Sequence, residues 1–187
     1  MEDWVLRAIK RWPNVPALFG WLRLDRRGRW LIKGEHISRV QIIDTINRNY
    51  SGDDQGRWFF QNGPQRGYVQ LEHAPLVLRA TGDSLTTHTD LPVTQISAVY
   101  MDEAGALLMQ TEHGPGALID DELEWALQRM RSGEQLVDEV AVATALALPS
   151  HAVTALSIKI GAEERVVTRL DTADAPAHLR FQRDPHP

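Results

Sequence analysis

Gly20-Trp21-Leu22-Arg23-Leu24-Asp25-Arg26-Arg27-Gly28-Arg29-Trp30-Leu31-Ile32-Lys33 decides how the rest of the chain is read. Residues 20–25 read as a strand, Arg26-Arg27-Gly28 as its turn and residues 29–33 as the returning strand, so the segment predicts a β-hairpin. A helix is expected next. Ser38 stands in the N-cap position with Gln41 three residues on, the spacing of a capping box. Ile42, Ile43, Ile46 and Tyr50 recur along one helical stripe. Isoleucine is a mediocre helix former, so this expectation rests on the stripe and the cap more than on propensity.

After the Gly52-Asp53-Asp54-Gln55-Gly56 break, residues 57–61 and 66–71 read as strands joined through Asn62-Gly63-Pro64-Gln65. Asn-Gly is a turn signal, but four linking residues and Pro64 argue for a loop wider than a two-residue hairpin. Pro75 introduces a further strand over 76–80.

The order Gly28-Arg29-Trp30, Gly34-Glu35-His36-Ile37-Ser38-Arg39, Gly56-Arg57-Trp58-Phe59-Phe60 and Leu71-Glu72-His73-Ala74-Pro75-Leu76 resembles the N-terminal half of a bacterial family, domain of unknown function 1285. That family has an Asp-Gly-x-Trp hairpin, a Gly-x-Pro-Ile-x-Arg helix start, a Gly-x-Tyr-Tyr strand and a Val-x-Asp-Ala-Pro-Phe segment. Arg27 stands where the family has aspartate, His36 where it has proline and His73 where it has a second aspartate, so membership of that family or of a sister family of unknown role is expected. The resemblance implies a two-domain α+β protein of repeated motifs, with a cavity between the halves and a link to signal transduction. It implies no catalytic residue.

At 187 residues with 43% hydrophobic content, the chain is long enough for one large domain or two small ones with a real core. It has no cysteine, which excludes disulfides and thiolate chemistry and favours the cytoplasm. Met1-Glu2-Asp3-Trp4 opens acidic, unlike a secretory signal, and the longest weakly polar run, Val140 to Pro149, is about half the ~20 residues of a membrane span. Net charge is −5, unevenly spread: residues 1–50 hold ten Lys/Arg against five Asp/Glu, so that stretch is basic and the remainder acidic. Such asymmetry serves intramolecular attraction, an anion pocket, a docking surface or simply solvation.

In chain order, residues 3–12 form a short amphipathic helix capped by Asp3 and stopped by Pro13, with Trp4 and Trp12 as anchors. Leu85 to Thr89 is a short strand, and the boundary between two modules is placed at Asp90-Leu91-Pro92. Residues 96–101 and 106–111 flank the turn Asp102-Glu103-Ala104-Gly105. A helix follows from Asp120, with Asp121 and Glu122 in its first turn, Arg129 and Arg131 in its last, Ile119, Leu123, Leu127 and Met130 on its buried stripe and Gly133 ending it. Residues 136–148 are compatible with helix or strand; the alternation Val140-Ala141-Val142-Ala143 is taken as strand. Residues 155–160 and 165–170 make a hairpin, 173–179 a helical turn, and Phe181 tucks back onto a sheet. The expected fold is α+β: an arm over 1–19, a first hairpin-helix domain over 20–92 and a second over 93–187, the hairpin-plus-helix motif being used twice, with Glu35-His36 echoed at Glu112-His113.

No nucleophile elbow, zincin motif, Walker loop or dinucleotide fingerprint is present. His36, His73, His88 and His113 with Glu35, Glu72, Asp90 and Glu112 lack helical metal spacing, so no metal, cofactor or catalytic residue is assigned. Thr87-His88-Thr89-Asp90 makes no nucleophile relay, because adjacent strand residues face opposite ways. The start of the first helix, with Lys33 and Arg39, is the better anion candidate, since Asp120 to Glu122 already occupy the positive end of the second. Arg57 to Arg66 is chemically the richest segment, combining aromatics, amides and arginines as ligand sites do. The candidate ligand-binding residues are therefore Arg39, Trp58, Gln61, Asn62, Gln65, Arg66 and His73. The expected function is non-enzymatic binding of a small molecule or partner protein between the halves, in signalling. The alternative is a hydrolase or metal-dependent enzyme assembled from dispersed His and carboxylates. Overall acidity argues against nucleic acid despite the arginines of 23–39 and Trp21, Trp30 and Trp58.

Overall fold

The computed structural model describes residues 2–187; Met1, the first residue of the expected arm, lies outside them. Contacts divide the chain into two compact units, Met1–Pro75 with Arg180–Pro187, and Leu76–Leu179. The fold is α+β, with one sheet of six strands and one of ten.

In the first unit, helix α1 (Asp3–Arg11) precedes strands β1 (Leu18–Leu24), β2 (Trp30–Ile32) and β3 (Glu35–His36), helix α2 (Val40–Arg48), and strands β4 (Tyr50–Gly52), β5 (Trp58–Asn62) and β6 (Gln65–Leu71). Their order is β3-β2-β1-β6-β5-β4, and β1 and β6 run parallel while the other neighbours are antiparallel. Alternation along β1 buries Leu22 and Leu24, and Leu24 lies between Trp30 and Leu71 in register, which makes one apolar sheet face. Helix α2 lies over that face through the buried Ile46, and Asn47 Oδ1 accepts the Trp30 indole N–H at 2.8 Å. The Trp30, Tyr50 and Trp58 rings meet at 5.0 Å spacings and extend the core. Helix α1 is held by Val5, which is fully buried, and by Glu2, whose carboxylate accepts from the buried Asn49 at 2.9 Å. Trp4 and Trp12 stay half-exposed and do not anchor it.

The C-terminal tail completes this unit. Leu71 N–H donates to Arg183 O at 2.7 Å, Gln182 N–H donates to Gly56 O at 2.8 Å, and Phe181 is buried.

The second unit contains β7 (Leu76–Thr81), β8 (Ser84–Thr87), β9 (Pro92–Val93), β10 (Ile96–Met101), β11 (Leu107–Thr111) and β12 (Gly114–Leu118). A 3-10 turn (Asp120–Glu122), α3 (Leu123–Leu127), β13 (Met130–Ser132), β14 (Gln135–Leu136), α4 (Glu139–Leu146), β15 (Val153–Ile160), β16 (Glu163–Arg169) and α5 (Ala175–Leu179) complete it. The strand order is β14-β13-β15-β16-β10-β11-β12-β7-β8-β9. Strand β7 runs parallel to β12, with Val77 opposite Ala117, so residues 76–93 belong to this sheet and the division of contacts falls at Pro75 and not at Pro92.

Four local expectations are corrected. Arg39, not Ser38, is the N-cap of α2 and makes no side-chain cap. The expected helix over 120–131 stops at Leu127, because Met130–Ser132 pairs with β15 and Gly133 turns a hairpin. Residues 139–146 are helix, with Asp138 Oδ1 accepting Ala141 N–H at 2.8 Å: a true N-cap and high alanine content outweigh the short alternation. Asn62 pairs directly with Gln65, so Gly63-Pro64 is a two-residue turn: Gly63 takes φ +55° and Pro64 occupies the second central position, where a negative φ suits proline.

A hairpin-plus-helix motif recurs, but not in the segments expected: it is β2–β3–α2 and β13–β14–α4, rather than the hairpin turning at Asp25–Gly28 matched with the one at Asp102–Gly105 and the helix from Asp120. Ile37 N–H donates to Trp30 O at 2.9 Å and Val137 N–H to Met130 O at 3.1 Å, while Thr45 and Thr144 hydroxyls donate to Gln41 O and Val140 O, each at 2.7 Å. The Glu-His echo is not part of it, since Glu35–His36 is a strand and Glu112-His113 turns β11 into β12.

Candidate functional site

Residues on β5 and β6 separate onto two faces. Pairing sets Phe60 opposite Gly67 and Asn62 opposite Gln65 on the side of α2, and Phe59 opposite Tyr68 and Gln61 opposite Arg66 on the other. The α2 side forms a groove of about 520 Å³. Gln41, Ile42 and Thr45 make its wall, Leu22, Phe60 and Gly67 its floor, and Asn62 and Gln65 line it from the β5–β6 turn; among the described residues no charged side chain lines it. Gly67 keeps the floor open: a Cβ there would meet only Phe60 O, at 3.8 Å. The exposed Trp21 also lines the groove and carries Lys33 Nζ 3.9 Å above its ring. Lys33 (φ +48°) and Gly34 (φ +87°) form the tight turn that places that amine. Gln65 Nε2 donates to Pro16 O at 3.3 Å, whereas the Asn62 side chain has no hydrogen bond among the described residues.

The opposite face is a closed polar network. Asp53 accepts from the Arg57 guanidinium at 2.9 Å and from the Tyr68 hydroxyl at 3.0 Å. Arg57 lies 4.6 Å from the Tyr68 ring centroid and Arg66 3.9 Å from that of Phe59. Arg66 Nε donates to Gln61 Oε1 at 3.3 Å, and buried Gln61 donates onward to Gly63 O at 2.9 Å. Burial pushes the Asp53 carboxyl upward, but the Arg57 side chain and N–H, the Tyr68 hydroxyl and the Gln55 N–H outweigh it and hold the group below the ordinary range. Burial alone drives the Tyr50 phenol far up, and its hydroxyl donates to Pro75 O at 2.9 Å.

Of the seven candidate residues, Asn62 and Gln65 share the groove. Gln61 and Arg66 share the opposite network, Trp58 is core, Arg39 is exposed at the start of α2, and His73 is buried with its carbonyl accepting from Arg183 at 3.1 Å. Sequence reasoning missed Gln41 and Thr45 on α2, whose signal was their position on the side of the helix beside Ile42.

Among the described residues no three His, Asp or Glu side chains lie close enough to hold a metal ion. In the second unit a cluster unanticipated by sequence joins Ser150, His151, Asp174, His178 and Tyr100. The Ser150 hydroxyl donates to Asp174 itself at 2.6 Å, and His178 Nε2 is 3.1 Å from the Tyr100 hydroxyl, so no histidine stands as a base to the serine.

A family profile described as "Protein of unknown function (DUF2946)" matches residues 1–186. The chain belongs to that family. No curated protein matches this DUF2946 member. Among solved structures it is similar to a DUF1285 family protein from Silicibacter pomeroyi DSS-3, at 12% identity over 92% of this chain and 98% of that one, with a TM-score of 0.54. A DUF1285 family protein from Shewanella baltica OS155 matches at 17% identity over 55% of this chain and 87% of that one, with a TM-score of 0.42. The first likeness is one of fold, and it agrees with the resemblance carried by the first hairpin and helix. Among the described residues no helix of this family member is long and apolar enough to cross a membrane.

Proposed function

We propose that this chain is a non-catalytic binding protein whose first unit takes a small, uncharged, largely apolar molecule bearing one or two hydrogen-bonding groups. The observation that carries this reading is the groove beside α2: its size is that of a small-molecule site, and among the described residues it is lined without a single charge and Asn62 offers it an amide with no partner. An ionised ligand would be desolvated against a lining that carries no charge, the nearby Lys33 amine being engaged on the Trp21 ring, while a carbonyl or hydroxyl would replace water on the exposed Asn62 amide. The absence of cysteine favours a cytoplasmic setting, and binding without chemistry suits a signalling role in which loading alters what the protein presents.

Thermal-shift titration with medium-chain alcohols, primary amides and lactones tests it. These compounds are expected to raise Tm by several degrees, and the matching carboxylates and amines are not. Asn62→Ala should weaken the best binder about tenfold. Gly67→Val should abolish the shift while leaving the unliganded Tm nearly unchanged, because it adds bulk to the groove floor at a position where a Cβ meets nothing nearer than Phe60 O at 3.8 Å. No stabilisation by any compound, or equal stabilisation of Gly67→Val, overturns the reading.

A further inference from the structure

The second unit holds a larger groove, of about 650 Å³, between α3, α4, β13 and the turn at residues 102–105. Its floor is apolar, built from Met101, Leu107, Met130, Val142 and Leu146, and Leu123 and Leu127 of α3 line it while remaining exposed. Helix α4 is apolar apart from Glu139 and Thr144, yet its Val140 is 72% exposed and Leu136 just before it 58%. Neither residue lines the groove, so a small molecule filling it would leave both bare. The apolar surface is therefore broader than a metabolite site.

The exposed charge on the segments that line it is acidic, although Arg129 donates to Trp125 O of α3 and the buried Arg169 to Met101 O. Segments 102–105, 119–127 and 133–146 contain no Lys, Arg or His, and their exposed carboxylates include Glu103, Asp121, Glu124, Glu134, Asp138 and Glu139. Met130 points into the groove, while its neighbours Arg129 and Arg131 line a separate polar cleft with Lys159. An apolar floor with an acidic rim repels anionic bilayers and nucleic acid. It also disfavours a two-fold contact between copies, which would set one rim against the other.

We propose that this groove docks a basic amphipathic helix of a partner protein, whose apolar stripe covers Leu123, Leu127 and Val140 and whose cations meet the carboxylates of α3 and α4. The proposal is independent of the site in the first unit.

The test is fluorescence anisotropy of the full chain with three labelled 18-residue peptides: an amphipathic Leu/Lys helix, the same pattern with Glu for Lys, and the Lys version with Leu replaced by Ser. The Leu/Lys peptide is expected to bind one to one and to weaken at least tenfold between 50 and 300 mM salt, about 1.4 kcal/mol. The other two should bind at least tenfold more weakly. Leu127→Lys and Val140→Lys, both at exposed positions, should each reduce affinity at least tenfold with unchanged circular dichroism. Gly67→Val should have no effect. Equal binding of the Leu/Glu peptide, binding indifferent to Leu127→Lys and Val140→Lys, or a dimer in solution that Val140→Lys dissociates would each overturn the proposal.

Discussion

Asp53 and Arg57 meet side-on across a four-residue turn, with Nε and Nη2 of the arginine each 2.9 Å from the same carboxylate oxygen. The other oxygen accepts the backbone N–H groups of Gln55 and Arg57, both at 3.0 Å. Asp25 does the same with Arg27 and Arg29, at 2.9 and 2.8 Å, and Asp102 with Ala104 and Ala106. One device, Asp-x-x-Gly, thus closes three hairpins of this chain.

Asp53→Asn is expected to lower stability by about 2 kcal/mol, since it weakens a charge-assisted pair and the Tyr68 hydrogen bond together. Urea denaturation measures it. The folded-state carboxyls of Asp25 and Asp53 lie below their unfolded values: burial, the largest influence, raises them, but their hydrogen bonds and arginines prevail. Their contribution is therefore complete above about pH 4 and is lost as pH falls through the folded values. A urea midpoint that did not respond to Asp53→Asn at neutral pH would contradict this.

His88 contributes a separate acid-sensitive window. Its Nε2 is shut off from solvent although the residue as a whole is half-buried, and Nδ1 accepts Val77 N–H at 3.2 Å. Burial, with Arg79 nearby, lowers its pKa to about 3. The unfolded chain therefore binds the extra proton between roughly pH 6.5 and 3, and stability falls across that range on acidification, by at most about 1.4 kcal/mol per pH unit. His88→Asn, which keeps an acceptor near Nδ1, should flatten that limb of the stability profile between pH 6.5 and 4.5.

Gly56 is confined twice. It has φ +75°, and a Cβ would lie 2.4 Å from Arg180 O, so the tail over residues 180–183 could not stay in place. Gly82 has φ +63° with nothing within 4 Å. Gly82→Ala is expected to cost about 1 kcal/mol from backbone conformation alone, and Gly56→Ala at least about 3. Faster amide exchange at Leu71 and Gln182 in Gly56→Ala would locate the damage.

Asp138→Ala removes the N-cap of α4 and should cost about 1 kcal/mol, detected as a lower urea midpoint. Ser38→Ala should cost almost nothing, because Ser38 caps no helix. Equal losses at the two positions would mean that the helix starts are misassigned.

Much of the first unit was legible locally. The hairpin through Asp25 and Gly28, the isoleucine stripe of α2 and the strands on either side of Asn62 follow from alternation, turn chemistry and helical period. Where two local signals competed, reading failed: Val140-Ala141-Val142-Ala143 alternates, but Asp138 caps a helix through it. Met130 continues a helical stripe in sequence, but β15 offers it a strand partner almost thirty residues away. The candidate site was half legible, since alternation predicts that Gln61 and Asn62 part company, yet which face α2 would cover was not written there.

By itself the sequence determined the class of fold, the turns and the uneven charge, because these depend on neighbours within a few residues. Only the tertiary structure decided that residues 76–93 join the second sheet, that the last eight residues complete the first unit, and that Gln41 and Thr45 line one groove with Asn62. Those outcomes depend on pairings between segments far apart in the chain, which are selected by burial of whole sheet faces and leave no local mark.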